Sequence, residues 1–357
     1  MPSTVTSAFS DPDDFDTALR KEGVLSMLVT ARGQFRARLT QISLDEICIS
    51  AVDEHLPRIA FIAAPIDTVL IFFSIGNAPT PVFGGTGVKT GELIALYPGA
   101  RFHFRTDDAS HWGLVRLQAD RLASHGFALT GTAFSLSRMA RRWRPASGVN
   151  RNLRSLHAAA IRLAVKSPQV LISTDAAHGL EQQLVHAVVD CFSEAPVSCE
   201  NLSERETQDT VVQFEQLLRC TKNSKASIAE ICVKLRVSDR LLRRLCAQHL
   251  GMSPRSYDRL TRMHLARRNL RRLDHTSITV SAVARHTGFR DPGRFAINYR
   301  AIFGETPSTT LQRARASEDD ALPRRRVLGS APDVLNGNSG SSAAGSGVSF
   351  PDIEHFT

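Results

Sequence analysis

Arg240, Arg243 and Arg244, and farther along Arg290, Arg294 and Asn298, are the side chains best suited to reading a polyanion. A guanidinium presents a planar fork of donors that matches phosphate and the major-groove edge of guanine, and an asparagine amide matches the edge of adenine. Such groups read bases only if a rigid element holds them on one face. The second set has such an element. Residues 278–287 read as a short helix, and Gly288 supplies a tight turn, because glycine enters left-handed backbone space cheaply. Asp291 can cap the next helix with Pro292 at its first position. Phe295, Tyr299, Ile302 and Phe303 then share one face, while Arg290, Arg294 and Asn298 share the other. An apolar floor under a basic roof suits docking into the major groove.

The first set repeats the plan. Ile228, Ile231 and Leu235 form an apolar stripe, Val237 closes the turn, and Ser238 is a good N-cap. Leu241, Leu242 and Leu245 turn inward, so Arg240, Arg243, Arg244 and Ala247 turn outward. A solvated basic face is the plain alternative, and the recurrence of the whole arrangement argues against it. Between the two patterns, Pro254 to Leu273 reads as one helix. Tyr257, Leu260, Met263, Ala266, Leu270 and Leu273 recur at helical spacing, and Arg259, Arg262, Arg267, Arg268, Arg271 and Arg272 are expected on its exposed side. Such a rod would hold two reading heads about 34 Å apart, matching successive major-groove segments. Charge is segregated to match: residues 220–315 hold 20 Lys/Arg against 6 Asp/Glu, and the remainder holds 24 against 29. One module is therefore expected to bind the polyanion.

With these residues in view, Ala226–Gln312 resembles the DNA-binding domain of AraC/XylS-type transcriptional regulators. The resemblance rests on Ser227-Ile-Ala-Glu-Ile231, Val237-Ser238, Leu242-Arg-Arg-Leu245 and Gly251-Met-Ser-Pro254. In the second half it rests on Val283-Ala284, Gly288-Phe289, Gly293-Arg-Phe295, Tyr299-Arg300 and Phe303-Gly-Glu-Thr-Pro-Ser308. Two positions depart from the family pattern. Arg236 stands in the first turn where glycine is usual, and Ile297 stands on the second reading helix where a polar residue is common.

The rest of the chain says less. Its 357 residues allow two or three domains. From Ser26 to Leu117, apolar runs at Glu46–Ile49, Arg58–Ile62, Val69–Phe73, Leu93–Leu96 and Trp112–Leu117 alternate with turn signals, which predicts a β-barrel or sandwich. In the resembled family this position often holds a cupin-like sensor barrel, and Gly91–Gly99 looks like one of its hairpins. From Phe134 to Phe192 the period is helical, with stripes at Leu153, Leu156, His157, Ala160, Leu163, Ala164 and at Leu180, Leu184, Ala187, Val188, Cys191. These stripes form either a dimer surface or a packing face on the barrel. Arg138, Arg141, Arg142 and Arg144 around Trp143 read as a solvated helix face.

No catalytic constellation emerges. His103 and His111 lack the His-x-His-plus-carboxylate arrangement of a metal cupin and read as surface or packing residues. Gly84-Gly85-x-Gly87 lacks a strand-turn-helix setting, and Cys246 and His249 are half a zinc site without a second pair. The six cysteines contain no C-x-x-C pair, Met1–Asp16 is polar and acidic, and no apolar run reaches the length of a membrane span.

The expected fold class is α+β. An N-terminal cupin-like β-barrel is followed by helices, then by an all-α C-terminal domain with two helix-turn-helix motifs joined by a long helix. Expected boundaries are a flexible N-terminus at 1–20, a β-rich sensor domain at 21–133, a helical segment at 134–195, a linker at 196–219, the DNA-binding domain at 220–316 and a disordered tail at 317–357. Double-stranded promoter DNA is the expected partner, with contacts from Ser238, Asp239, Arg240, Arg243, Arg244, Arg290, Arg294 and Asn298. A small organic effector held by apolar walls, RNA polymerase for an activator, and a homodimer are further expectations. No catalytic group, metal, cofactor or membrane is expected, and the location is cytoplasmic, with the nucleoid. The competing readings are a barrel enzyme or small-molecule-binding barrel tethered to DNA, and an architectural DNA binder that senses nothing.

Overall fold

The computed structural model describes residues 2–76, 80–131, 141–193, 198–201, 205–220, 227–272 and 278–321. The chain opens with strand β1 (Ser3–Phe9), helix α1 (Pro12–Leu19) and strands β2 (Val24–Val29), β3 (Ala37–Ser43), β4 (Ile47–Glu54), β5 (Arg58–Ala63) and β6 (Thr68–Ser74). Short strands β7 (Val82–Phe83) and β8 (Thr86–Gly87) precede β9 (Leu93–Leu96), β10 (Arg101–Thr106) and β11 (Ser110–Gln118). Helix α2 (Ala119–Thr130), strand β12 (Arg141–Arg144), helices α3 (Ser147–Lys166) and α4 (Thr174–Ser193) and strand β13 (Ser198–Asn201) follow. The rest is helical: α5 (Arg205–Cys220), α6 (Ile228–Leu235), α7 (Asp239–Leu250), α8 (Pro254–Arg272), α9 (Val280–His286), α10 (Pro292–Phe303) and α11 (Pro307–Ala321).

The α+β class holds, but the N-terminal strands do not close into a barrel. Among the described residues they form two open antiparallel sheets, ordered β1-β3-β4-β11-β6-β9-β12-β13 and β2-β5-β10-β7-β8. Alternation along β6 shows why its run is apolar throughout. Leu70 and Phe72 point between the sheets, whereas Val69, Ile71 and Phe73 point to the helical side, so every position is buried. The space between the sheets is filled by rings. Phe83 stacks on Phe104 at 4.4 Å, Phe72 lies 5.2 Å from Phe83, and the void beside them is about 10 Å³. That leaves no room for an organic effector there. Leu93–Leu96 pairs with β6 and β12 and not with β10, so Gly91–Gly99 crosses between sheets and is not a hairpin.

Both helical stripes pack on the outer sheet face. Leu153, His157, Ala160 and Ala164 of α3 and Leu184, Ala187, Val188 and Cys191 of α4 are buried with Ile49, Ile71 and Val115. The packing alternative therefore describes them, and they are not free to face a second copy. The Arg141–Arg144 segment is a strand, not a solvated helix face. Trp143 is buried against Phe192 and donates from its ring to the Cys191 carbonyl at 3.0 Å. Arg138 lies outside the described residues.

Three further expectations are corrected. Residues 1–20 are not a flexible lead: β1 pairs with β3 in full register, and Phe15 and Leu19 of α1 are fully buried. The 196–219 linker contains β13 and α5. Val211, Phe214 and Leu218 of α5 share a core with Ile231, Leu242, Leu245 and Tyr257, and Leu28 and Ile59 of the smaller sheet join it. A polar stretch is a poor guide here, because α5 is amphipathic and only its apolar stripe is used. Of the tail expected at 317–357, α11 extends to Ala321 and the remainder lies outside the described residues.

A further correction concerns α8. Its exposed side was expected to carry Arg267 and Arg271, yet Arg267 is 5 % exposed. Its guanidinium donates to Asp11 at 2.7 Å and to Asp13 at 2.6 Å, while Arg271 donates to Asp11 at 2.6 Å and to Asp14 at 3.1 Å. Burial alone would raise the Asp11 carboxyl, but the two guanidinium groups outweigh it and hold the carboxyl below its ordinary range. Beside this cluster the His264 ring, edge-on to Phe303, faces the Val29 carbonyl at 3.1 Å. On the first half of α8, the Tyr257 hydroxyl donates to Glu215 at 2.5 Å, with Arg219 at 2.9 Å and His103 at 3.8 Å from the same carboxylate. Burial pushes Glu215 upward. The nearby His103, Arg219 and the Tyr257 hydroxyl outweigh it and hold the carboxyl at about 2.

Two outcomes follow from this packing. Truncating Phe214, fully buried between α5 and α7, should cost about 3–5 kcal/mol in urea unfolding followed by circular dichroism. A 205–316 fragment should correspondingly melt higher than one starting at residue 215, which lacks Val211 and Phe214. The second outcome concerns acid. Burial holds His264 at about 4, aided by Arg268 and Arg267 and opposed by Asp13 and the Val29 bond. Below pH 6.5 the unfolded chain takes up a proton here that the folded chain refuses. Stability is therefore full above pH 6.5 and falls toward pH 4, by about 3 kcal/mol for this group. His157 and His249 are lowered the same way, so the comparison is differential. His264→Gln keeps a donor for Val29 and should flatten the slope between pH 6.5 and 4; an unchanged slope would contradict the assignment.

Candidate nucleic-acid interface

The first helix-turn-helix is built from local signals. Ser227 Oγ accepts from the Glu230 amide at 3.2 Å and the Glu230 carboxylate accepts from the Ser227 amide at 3.3 Å, a reciprocal capping box that starts α6. The helix ends at Arg236, whose φ of 55° makes it the one non-glycine residue with positive φ among the described residues. Ser238 then caps α7, accepting from the Leu241 amide at 3.1 Å. Leu242, Leu245, Cys246 and Leu250 turn into the core formed with Ile231, Cys232 and Tyr257. That burial fixes the opposite face, where Arg240, Arg243, Arg244, Ala247 and Gln248 are exposed. Asp239 complements the helix N-terminus and lies 2.7 Å from Arg243. Both side chains are more than half exposed, so this pair is weak and competes poorly with phosphate or a base.

The second unit repeats the logic with different caps. Thr279 starts α9, accepting from the Ala282 amide at 3.2 Å. Gly288, at φ 86°, makes the turn, and a Cβ there would meet the Arg262 guanidinium at 2.9 Å. Asp291 caps α10, accepting from the Arg294 amide at 3.0 Å, and Pro292 occupies the first turn. Phe295 and Tyr299 are fully buried on Met263, Ala266 and Leu270 of α8. Arg290 and Arg294 are exposed and Asn298 is half-buried. Ile297, 72 % exposed on the same helix, offers only apolar contact.

The eight residues read from the sequence thus fall on two exposed helix surfaces joined by α8, though not all are equally available. The Ser238 oxygen is committed to its cap, and the Asp291 carboxylate, read from the sequence as a cap, accepts from the Arg294 amide at the corresponding place. At the far end of α7, Gln248 approaches the Gly85 carbonyl and Arg105 approaches the Ala247 carbonyl, each at a long 3.5 Å. The smaller sheet therefore meets α7 beyond Arg240, Arg243 and Arg244 and leaves those three open. Sequence reasoning missed this contact and the Asp11–Asp14 contact with α8. The available signal for the latter was a run of acids near the start of the chain facing an arginine-rich helix. His103, Cys246 and His249 are buried, and among the described residues no group of three His, Cys, Asp or Glu side chains could hold a metal ion. No helix there is long and apolar enough to cross a membrane.

Arg236 gives a direct test of the first turn. A side chain at left-handed φ is strained, and glycine is not. Arg236→Gly should raise stability by about 1 kcal/mol in chemical unfolding, whereas Arg236→Ala, which keeps the Cβ, should not.

Comparison with known proteins bears on this region. Residues 231–313 match the family model described as a helix-turn-helix domain. The chain is 35 % identical over 118 residues to XylDLEGF operon transcriptional activator 1 of Pseudomonas putida, a span covering 32 % of this chain and 35 % of that protein. XylDLEGF operon transcriptional activator 2 of the same organism is 33 % identical over 103 residues, covering 29 % and 64 %. The chain thus spans about a third of the length of the first of these relatives. Among solved structures, a transcriptional regulator with an AraC-type DNA-binding domain from Chromobacterium violaceum is 26 % identical, covering 31 % of this chain and 96 % of that one at a TM-score of 0.29. The AraC-like transcriptional activator CuxR is 14 % identical, covering 74 % and 94 % at a TM-score of 0.40.

Proposed function

From a C-terminal region that is a helix-turn-helix domain of the AraC type, we infer that this chain is a sequence-specific, DNA-binding regulator of transcription. The observation that carries the reading is the pair of capped helices, α7 and α10, each with a buried floor and an exposed cationic face. The two helices enter successive major-groove segments, with α8 as the spacer. Its 19 residues span about 28 Å at the helical rise, close to one turn of duplex between contact centres. Arg240, Arg243 and Arg244 read bases at one segment; Arg290, Arg294 and Asn298 do so at the other, with Ile297 favouring a thymine methyl. Arginines along the block supply phosphate contacts and a steep salt dependence.

Control belongs to the same proposal. The two-sheet domain grips α8 at His264, Arg267 and Arg271, so a small organic effector that shifts this grip changes how the two heads are held. The relatives are named as transcriptional activators, and activation through RNA polymerase is the corresponding proposal here. Homodimerisation belongs to the same proposal and draws on surfaces other than the α3 and α4 stripes.

The test is a selected duplex. Recovery of a preferred site from random DNA, followed by titration of Arg243→Ala, should show a loss of about 1–3 kcal/mol on that site and relaxed preference at one or two base pairs. Arg294→Ala should do the same at the other half of the site. Unchanged affinity for both the preferred and a scrambled duplex would remove α7 from the groove.

A further inference from the structure

Among the described residues, one void large enough to hold a ligand lies outside the space between the sheets. It lies on the outer face, under α3, as a cavity of about 930 Å³. That is the size range of small-molecule sites. Phe73 and Ile75 at the end of β6 and Ala158 of α3 contribute its apolar walls. Its charged lining is of one sign. Arg144, Arg151, Arg154 and Arg162 contribute, and among the described residues no aspartate or glutamate lines it.

Arg154 is the informative member. Its guanidinium lies 5.1 Å over the Phe73 ring and donates only to neutral oxygens: Asn150 Oδ1 at 2.9 Å, the Ser74 carbonyl at 2.5 Å and the Glu92 carbonyl at 3.3 Å. Burial works against its charge and lowers its pKa. A desolvated guanidinium normally has a carboxylate beside it, as Arg267 does here. The nearby Glu92 carboxylate serves the Lys89 amide at 2.8 Å and lies 3.7 Å from Arg142 and from Arg144. His157, the other titratable group on this wall, faces the Ser50 carbonyl at 3.0 Å and is held at about 4 by burial, so it is neutral at ordinary pH. The five N–H groups of a guanidinium exceed the three bonds made, which leaves donors for a ligand.

We propose that this cavity binds a small organic anion, an apolar body seated on Phe73 with one carboxylate or sulfonate head against Arg154, and Arg151 and Arg162 at the mouth. The site deepens the reading of the N-terminal domain as a sensor and gives its effector a chemical class. Binding itself does not depend on that reading, so it is measured without DNA.

The probe is 8-anilinonaphthalene-1-sulfonate, titrated into the full chain. Its fluorescence should rise saturably at about one molecule per chain. Octanoate should displace it about tenfold more effectively than 1-octanol, as a charge-assisted contact requires. Arg154→Met should abolish that preference. Because Arg154 also bonds the backbone, the double variant Arg151→Glu, Arg162→Glu, altered at exposed positions, repeats the test with the fold intact. It should weaken octanoate about tenfold while leaving octanol unchanged. Equal displacement by the acid and the alcohol, or full octanoate affinity in the double variant, overturns the proposal. If octanoate binds but leaves affinity for the selected duplex unchanged, the site stands and the sensor reading falls.

Discussion

A guanidinium that loses its water is ordinarily balanced by carboxylates, and Arg267 is where this chain supplies them. It is surrounded by Asp11, Asp13 and the more distant Glu305, with Phe303 beneath it. Asp11 has a second task, since its Oδ1 accepts the Asp13 amide and caps α1. Removing both aspartates would leave the guanidinium buried with only the more distant Glu305 to balance it, and an uncompensated buried charge typically costs about 3–5 kcal/mol. The first turn of α1, the middle of α8 and the turn before α11 therefore hold their relative positions through a single cation.

The same economy appears at the other end of α8. Tyr257 belongs to the first helix-turn-helix core, yet its hydroxyl is bonded to Glu215 of α5, which in turn lies beside His103 of β10. Leu28 and Ile59 enter that core from the smaller sheet. The floor under α7 is thus shared between the two-sheet domain and the helical one, whereas the floor under α10 comes from α8, α9 and α11. Disturbance of the sheets reaches the two heads unequally.

What could be read in advance was what is decided locally. The Ser238 cap, the Asp291-Pro292 start and the Gly288 turn each involve residues a few positions apart, and all three stand in the structure. The α3 and α4 stripes were equally visible, but a stripe does not state what covers it. Strand β10 was overlooked although Phe102 and Phe104 alternate with Arg101, His103 and Arg105, because the charges masked the period. Arg142-Trp-Arg144 reads as helix because the strands that pair with it, β9 and β13, lie far away in the sequence. The α8 arginines were misplaced for the same reason: arginine-rich faces are ordinarily wet, and only the distant carboxylates make this one dry.

That distance has a temporal side. Asp11 and Arg271 are 260 positions apart. A ribosome adds roughly 5–20 residues per second. The acidic turn therefore exists for something like ten to fifty seconds before its cations are made. During that interval β1 can already pair with β3, and the sheets can close over their phenylalanines. The grip on α8 is thus among the last contacts to form, and it forms onto a surface already in place.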